Sequence, residues 1–336
     1  MSIGTVDRVL HNRGEVSEVT RKRVLKIISE LNYKPNIIAS TLASKRKIRF
    51  ITLLPEASSP DAYWSKPLHG IERIANEVQQ YGITVENYTF NLNDPKSFSQ
   101  QAEQILGTSP DGVVLAPSFY REACTLTNHL KRAGIPFVFI DSEIKNSGQL
   151  SYVGQDSFQS GYLAGKILGL MTGCSEALLI VHFAKETDNQ NHLILREKGF
   201  LEWFQKHQPN RNVKALEFNP AEEKDWEGNF LKNLTTNGIS GIYVTNSKSF
   251  QVAALLEKFK IENIRLIGHD LIESNRDFLK RDTINFLICQ RPEEQGYKAI
   301  NKLFQHITLK NEVGQINYTS IDIITKENLD FYKEFN

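Results

Sequence analysis

Residues 2–14, SIGTVDRVLHNRG, decide how the rest of the chain is read. Ile3, Val6, Val9 and Leu10 fall on one face at helical spacing, while Gly4, Thr5, Asp7, Arg8 and His11 point the other way. Ser2 stands where an N-cap belongs, its hydroxyl able to accept an orphan backbone N–H. Gly14 stands where a left-handed residue would end the helix. So short a helix is marginal in water by itself. It needs a partner for its apolar face, and its polar face is left to read something else.

Charge sets this end apart. Residues 1–47 carry ten Lys and Arg against four Asp and Glu, a net +6, although the whole chain sums to +1. A basic head on a mildly acidic body suits a polyanion held by the head alone; a solvated charged helix would carry the same charge. Within TRKRVLKIISELNY, residues 20–33, Val24, Ile27, Ile28 and Leu31 define a second amphipathic helix, with Ser17 as its cap. Pro35 ends it, because the residue before a proline avoids helical geometry. IIASTLASKRK, residues 37–47, has room for only two turns and should be largely disordered alone.

From Ile48 the texture changes. Apolar runs of strand length alternate with helical patterns of about 10–15 residues, which reads as βαβ units around a parallel sheet. Strands are expected at 48–54, 83–88, 112–116, 136–141 and 152–154, with helices at 64–81, 95–106 and 121–133. A second series has helices at 159–171, 193–205, 225–237 and 250–260, and strands at 177–183, 213–218, 241–245, 265–268 and 284–289. Helix 293–307 and a last strand, 318–324, close the chain. Two similar open α/β lobes follow from this. Ligands of such sheets bind beyond the carboxyl ends of the strands, and two lobes facing each other make a cleft that can close on a small molecule.

Composition excludes several classes. At 336 residues the chain needs more than one domain, and 40% hydrophobic with 24% charged residues is ordinary for a soluble protein. No apolar run approaches the ~18 residues that cross a bilayer, and no signal-peptide core follows Met1, so a cytoplasmic protein with no membrane contact is expected. Cys124, Cys174 and Cys289 are odd in number and far apart, and read as buried free thiols. There is no phosphate-binding loop, nucleophile elbow or zinc spacing. No catalytic residue, cofactor or metal is expected, and the chain does not read as an enzyme.

SIGTVDRVLHNRGEVSEVTRKRVLKIISELNYKPNIIASTLASKR, residues 2–46, resembles the DNA-binding head of the LacI/GalR family of transcription regulators. The remainder resembles that family's effector domain, nearest to its ribose-type, sugar-binding members. The resemblance spans essentially the whole chain. It implies an α/β protein with an N-terminal partial helix-turn-helix plus a two-lobed periplasmic-binding-protein-like domain with parallel sheets. The implied boundaries are a head at 1–35, a hinge at 36–47, lobe one at 48–154 with 293–318, and lobe two at 155–292 with 319–336.

By the same resemblance, Ser2 to Leu10 is the recognition helix, lying in the major groove with Ile3, Gly4, Asp7 and Arg8 towards the bases. Arg8 is the residue suited to a bidentate contact with guanine. Ser2, Thr5, Asn12, Ser17 and Thr20 would bond phosphates, although capping alone also accounts for Thr5 and Ser17. Asn36 to Ser44 matches the hinge, which becomes helical when two copies pair over the minor groove. Leu42 matches the leucine wedged between base steps there.

In the effector domain, Tyr63 and Trp64 of SPDAYWSKPLHG match the aromatic pair that stacks on a sugar ring. Asp141 ends the fourth strand, Arg196 belongs to the R-x-x-G-F pattern, Asn246 follows a lobe-two strand, Asp270 ends IGHD, and Gln290 lies at a lobe crossover. Asp141 and Asp270 could instead cap helices, and Tyr63 and Trp64 could be core aromatics. The sequence departs from the family at Ser247, His269 and Ser157, where Asp, Phe and Asn are usual. Each departure changes pocket polarity and leaves the particular sugar open. His269 beside Asp270 has no nucleophile or metal spacing near it, so it reads as a pocket-wall or packing histidine.

The expectation is a sugar-responsive transcriptional regulator, homodimeric on a pseudo-palindromic operator. The alternative is a sugar-binding protein without DNA-binding activity, either a solute receptor or a protein with a truncated head. Truncation enters because family members place a further helix and turn before this Ser. The chain is expected to start late, at a GTG valine codon read as Met, leaving Ile3, Val6 and Val9 exposed and the head loose.

Overall fold

The computed structural model describes residues 2–10, 14, 16–31, 47–59, 62–183, 191–220, 222–236 and 238–333. The chain divides into two units, Met1–Arg46 and Lys47–Asn336.

In the first unit, α1 (Ile3–Leu10) begins after Ser2, whose hydroxyl accepts from the Thr5 amide at 3.2 Å. Helix α2 (Glu18–Glu30) begins after Ser17, whose hydroxyl accepts from the Thr20 amide at 3.3 Å. Each serine thereby satisfies one of the amides that a helix start leaves without a partner. The two helices touch, and Val9 and Val24 are buried. This corrects the expectation that Val9 stands exposed: α2 supplies part of the cover that a short helix needs. Val6 and Ile28 are half-buried, while Leu25, Ile27 and Leu31 stay exposed. Asn12, Asn36 and Leu42, with all of the hinge before Lys47, lie outside the described residues, as do the side chains of Ile3 and Asp7.

The described residues of the second unit form two six-stranded sheets. Lobe one holds β1 (Ile48–Pro55), β2 (Ile83–Phe90), β3 (Gly112–Leu115), β4 (Phe137–Ile140), β5 (Ser151–Gly154) and β11 (Ile316–Tyr318), in the order β11-β5-β4-β3-β1-β2. Lobe two holds β6 (Ala177–Phe183), β7 (Val213–Phe218), β8 (Ile239–Val244), β9 (Arg265–His269), β10 (Phe286–Cys289) and β12 (Asp322–Ile324), in the order β12-β10-β9-β8-β6-β7. Every pairing is parallel except β10 with β12. The central strands β3, β4 and β6 are buried throughout, as parallel strands covered by helices on both faces must be.

Lobe one carries α3 (Ser65–Gln79), α4 (Pro95–Leu106) and α5 (Tyr120–Arg132). Lobe two carries α6 (Ser157–Met171), α7 (Asn191–His207), α8 (Trp226–Thr236), α9 (Ser249–Lys258) and α10 (Glu273–Lys280). Helix α11 (Pro292–Leu303) leaves β10 of lobe two but packs on α3, β4 and β5 of lobe one. Each lobe locks one helix pair through facing glycines. A Cβ on Gly70 would fall on the Glu293 carbonyl and one on Gly296 on the Pro67 carbonyl, so α3 and α11 cross backbone to backbone. Gly161 and Gly199 do the same for α6 and α7, against the carbonyls of Arg196 and Phe158.

Four expectations are corrected. The strand expected at 318–324 is two strands in two sheets: the Thr319 amide still bonds the Gly154 carbonyl at 2.7 Å, whereas Asp322 already pairs with Cys289. The helix expected at 293–307 ends at Leu303 and widens into a π turn over Phe304–Thr308. Helix α10 was not expected. Of the three thiols only Cys289 is buried; Cys124 is half-buried and Cys174 is exposed in the turn between α6 and β6.

Candidate functional site

Strand β4 runs into Asp141 and β9 into Asp270, and both residues turn to a positive φ of 67°. Aspartate is among the few side chains that tolerate this region, and such strain persists only where the surroundings impose it. Neither aspartate caps a helix among the described residues. The cap of α10 is Ile272, and no helix follows Asp141 until α6, which Asp156 caps.

The two carboxylates open onto one cavity of about 720 Å³ between the lobes. Tyr63, Trp64, Asp141, Arg196, Asn246, Asp270 and Gln290 all line it. Tyr63 and Trp64, at the start of α3, are both largely buried and meet edge to face at 5.0 Å between centroids. They belong to the core of lobe one and to the cavity wall at once. The Tyr63 hydroxyl donates to Asp141 Oδ1 at 2.8 Å; burial and the neighbouring carboxylates hold its ionisation well above the usual tyrosine range, so it stays a donor.

Arg196 projects from α7 and is 2% exposed. Its Nη1 donates to the Thr245 carbonyl at 2.7 Å and its Nη2 to Gln290 Oε1 at 3.3 Å. Gln290 Nε2 in turn donates to Asp270 Oδ1 at 3.1 Å. Burial pushes the Asp270 carboxyl up to about 7; Arg196 pulls against this and Asp141 adds to it. Burial also keeps His192, on the cavity wall, neutral by lowering it to about 4.

Polar groups without a sequence signal hold the site together. Gln295 accepts from the Asp141 amide at 2.9 Å and donates to the Gln290 carbonyl at 2.9 Å, bridging the two lobes' strand ends. Asn275 donates to the carbonyls of Ser247, His269 and Asp270 and accepts from the Phe250 amide. His182 sits between Glu197 Oε2 at 2.7 Å and Thr245 Oγ1 at 2.8 Å, bracing the α7 turn that carries Arg196 against the ends of β6 and β8. Thr245 is fully buried, so this carboxylate–imidazole–hydroxyl array cannot meet a substrate. His269 is also fully buried and bonds the Tyr243 hydroxyl at 2.8 Å, a packing position. Asn91, Asn93, Ser118 and Lys248 line the cavity too. They lie in loops just past β2, β3 and β8, where the carboxyl-end rule could have found them.

In the head, Gly4 and Arg8 are exposed on α1, while the hydroxyls of Ser2 and Ser17 meet those of Thr5 and Thr20 at 2.9 Å.

A family model of the periplasmic binding protein domain matches residues 51–311, and one of bacterial regulatory proteins of the lacI family matches residues 1–36. The transcriptional regulator MalR of Streptococcus pneumoniae is 27% identical over 329 residues, 96% of this chain and 94% of MalR. The regulator DegA of Bacillus subtilis is 28% identical over 202 residues, 60% of this chain and 56% of DegA, so the chain spans little more than half of that relative. A crystal structure assigned to a LacI transcriptional regulator from Bacteroides fragilis superposes with a TM-score of 0.79 at 31% identity, covering 86% of this chain and all of that one. GanP, a glucose-galactose binding protein from Geobacillus stearothermophilus, shares the fold at a TM-score of 0.75 and 22% identity, covering 85% of this chain and 99% of GanP. No helix among the described residues is long and apolar enough to cross a membrane. With the head model and the binding-domain model matched in the family's order on one chain, the protein belongs to the LacI/GalR family of transcription regulators.

Proposed function

We propose that the cleft takes one sugar as effector, and that its occupancy changes how the heads of a homodimer hold a pseudo-palindromic operator. The observation that carries the effector reading is the pair of strained carboxylates, Asp141 and Asp270, brought from matching strand ends onto one cavity with Arg196. A sugar edge offers several O–H donors and its faces are apolar C–H. Two carboxylates, a guanidinium, the Asn246 and Gln290 amides and the Tyr63 and Trp64 rings complement both.

Control of the head requires the ligand to bind two lobe arrangements with different affinity. Lys66 of α3 supports such a pair of states: its Nζ donates to the Leu271 carbonyl of lobe two at 2.8 Å, a bond that lobe opening would break. On the DNA side, Arg8 is assigned to guanine and Ile3, Gly4 and Asp7 to neighbouring base edges. Ser2, Thr5, Asn12, Ser17 and Thr20 are assigned to phosphates, and Asn36 and Leu42 to the minor groove.

The test is a mobility shift of the full chain on operator DNA, with and without sugars chosen from a thermal-shift panel, since a ligand of the native state raises Tm by linkage. Specific binding that a stabilising sugar alters supports the proposal. Absence of any ligand-sensitive binding sinks it.

A further inference from the structure

Among the described residues, two Lys or Arg side chains line the cleft cavity, Arg196 and Lys248, and only the first is answered by the protein. Arg196 makes two hydrogen bonds, and its charge acts on Asp270. Lys248 is half-buried. Its backbone amide donates to Asn246 Oδ1 at 3.2 Å, but its ammonium makes no hydrogen bond or ion pair among the described residues. Burial alone pushes its ionisation below the usual lysine range, and no described carboxylate pulls it back.

Local structure adds to this cost. Lys248 is the N-cap of α9, a helix of ten residues, and its side chain makes no capping bond. A cation therefore stands at the helix end where the aligned peptide dipoles favour an anion. The turn is held in place from behind. Asn275 donates to the Ser247 carbonyl at 2.8 Å and accepts from the Phe250 amide at 2.8 Å. Ser247, half-buried, adds a hydroxyl to the cavity wall beside Lys248.

The carboxylates of the wall are engaged elsewhere or lie in water. Asp141 accepts the Tyr63 hydroxyl, and Asp270 meets Gln290 and titrates at about 7. Glu56 and Glu273 are exposed, so water screens their charge. A neutral hexose in the cleft would leave a half-buried ammonium uncompensated, which costs free energy that an anionic ligand removes.

Resting on the effector reading above, we propose that the effector is a sugar acid, whose carboxylate meets the Lys248 ammonium and the Ser247 hydroxyl at the start of α9. Its hydroxyls are left to Asp141, Asp270 and Asn246. One ammonium and one neutral hydroxyl match a single negative charge, whereas a phosphate dianion would bring a second charge with nothing to meet it.

Calorimetric titration of the full chain tests the proposal, comparing D-glucuronate, D-galacturonate and D-gluconate with D-glucose, D-galactose and glucose-6-phosphate. The amide of the acid that binds best is its uncharged isostere. The acid is expected to bind about tenfold or more tightly than its amide, because the amide cannot make the charge-assisted bond. That preference should vanish in Lys248→Met, which keeps the apolar stem, and persist in Lys248→Arg. Lys248→Gln stands in if Lys248→Met does not fold. Binding of a neutral hexose with none of the acids overturns the sugar-acid assignment and leaves the effector reading standing; a thermal-shift panel that fails for every sugar, neutral or acidic, overturns both. An acid that binds no better than its amide, an acid preference unchanged in the folded variants, or tighter binding of glucose-6-phosphate also overturns the assignment.

Discussion

In lobe one the fourth strand ends at Asp141 and in lobe two at Asp270, at the same φ of 67°, yet the two carboxylates are served differently. Asp141 accepts a tyrosine hydroxyl and has its own amide tied to Gln295. Asp270 meets the Gln290 amide and is pushed up to about 7 by burial that Arg196 only partly offsets. Lobe one contributes the Tyr63 and Trp64 rings; lobe two contributes Phe183 and Phe250 together with Arg196, Asn246 and Gln290. The glycine-locked helix pairs are alike, α3 with α11 and α6 with α7. Duplicated scaffold geometry thus places equivalent positions at the cleft, and the residues grafted onto those positions decide the chemistry.

The likeness of the scaffolds faces the largest test. Gly70→Ala and Gly199→Ala each drive a Cβ onto a backbone carbonyl of the partner helix. Each should cost about 3 kcal/mol or more in denaturant unfolding, since backbone must move to make room. Matched losses sharpen the comparison; a loss confined to one lobe breaks it.

The lobe-two side is tested next by Arg196→Met, which strips the Thr245 carbonyl and Gln290 of a buried donor and Asp270 of its cation. Effector affinity, read by calorimetry, should fall about 100-fold.

Asp270→Asn separates stability from binding. The folded carboxyl titrates at about 7 against an ordinary 3.8, so the folded chain holds a proton that the unfolded chain has released. Stability from this residue is therefore fully present below about 4 and is lost as pH rises towards about 7. In urea unfolding across pH, the variant should lose that downward slope and gain about 2 kcal/mol at pH 8, while binding the effector more weakly. An unchanged slope would show that Asp270 is not the source of the pH dependence.

Glu197→Ala removes the acceptor that orients His182, and should weaken effector binding about tenfold through Arg196. Glu197→Gln, which keeps an acceptor for the imidazole, should restore most of it. The smallest effect lies in the head. Ser17→Ala should cost about 1 kcal/mol of α2 stability and lower operator affinity while leaving effector binding unchanged.

Strands such as Ala177–Phe183 and Val213–Phe218, and helix Pro95–Leu106, coincide with their expected bounds because sequence texture marks them directly. Helix α10 escaped because ESNRDFLK buries only Asn275 and Leu279, too little for an apolar period. The split of 318–324 escaped because only Thr319, Ser320 and Ile321 separate the two short strands, with no Gly or Pro to mark the exchange. Number and spacing of the cysteines say nothing of exposure, whereas Gly173 and Ser175 beside Cys174 signal the turn that exposes it. The seven cleft residues came from the family resemblance, and local patterning alone would not have joined them. Gln155, Gln295, Asn275 and the His182 array were not legible, because a buried polar bridge is a long-range pairing with no local period.

The most direct test follows operator binding of the full chain by fluorescence anisotropy while titrating a sugar that raises its Tm. Control through the cleft predicts that the sugar shifts operator affinity by about 5- to 150-fold, the usual span of an allosteric coupling. It also predicts that the shift vanishes in the Asp141→Asn, Asp270→Asn double variant, whose ligand-free operator affinity stays at the wild-type value. A sugar response of wild-type size in that double variant, or none in the wild type, would contradict it.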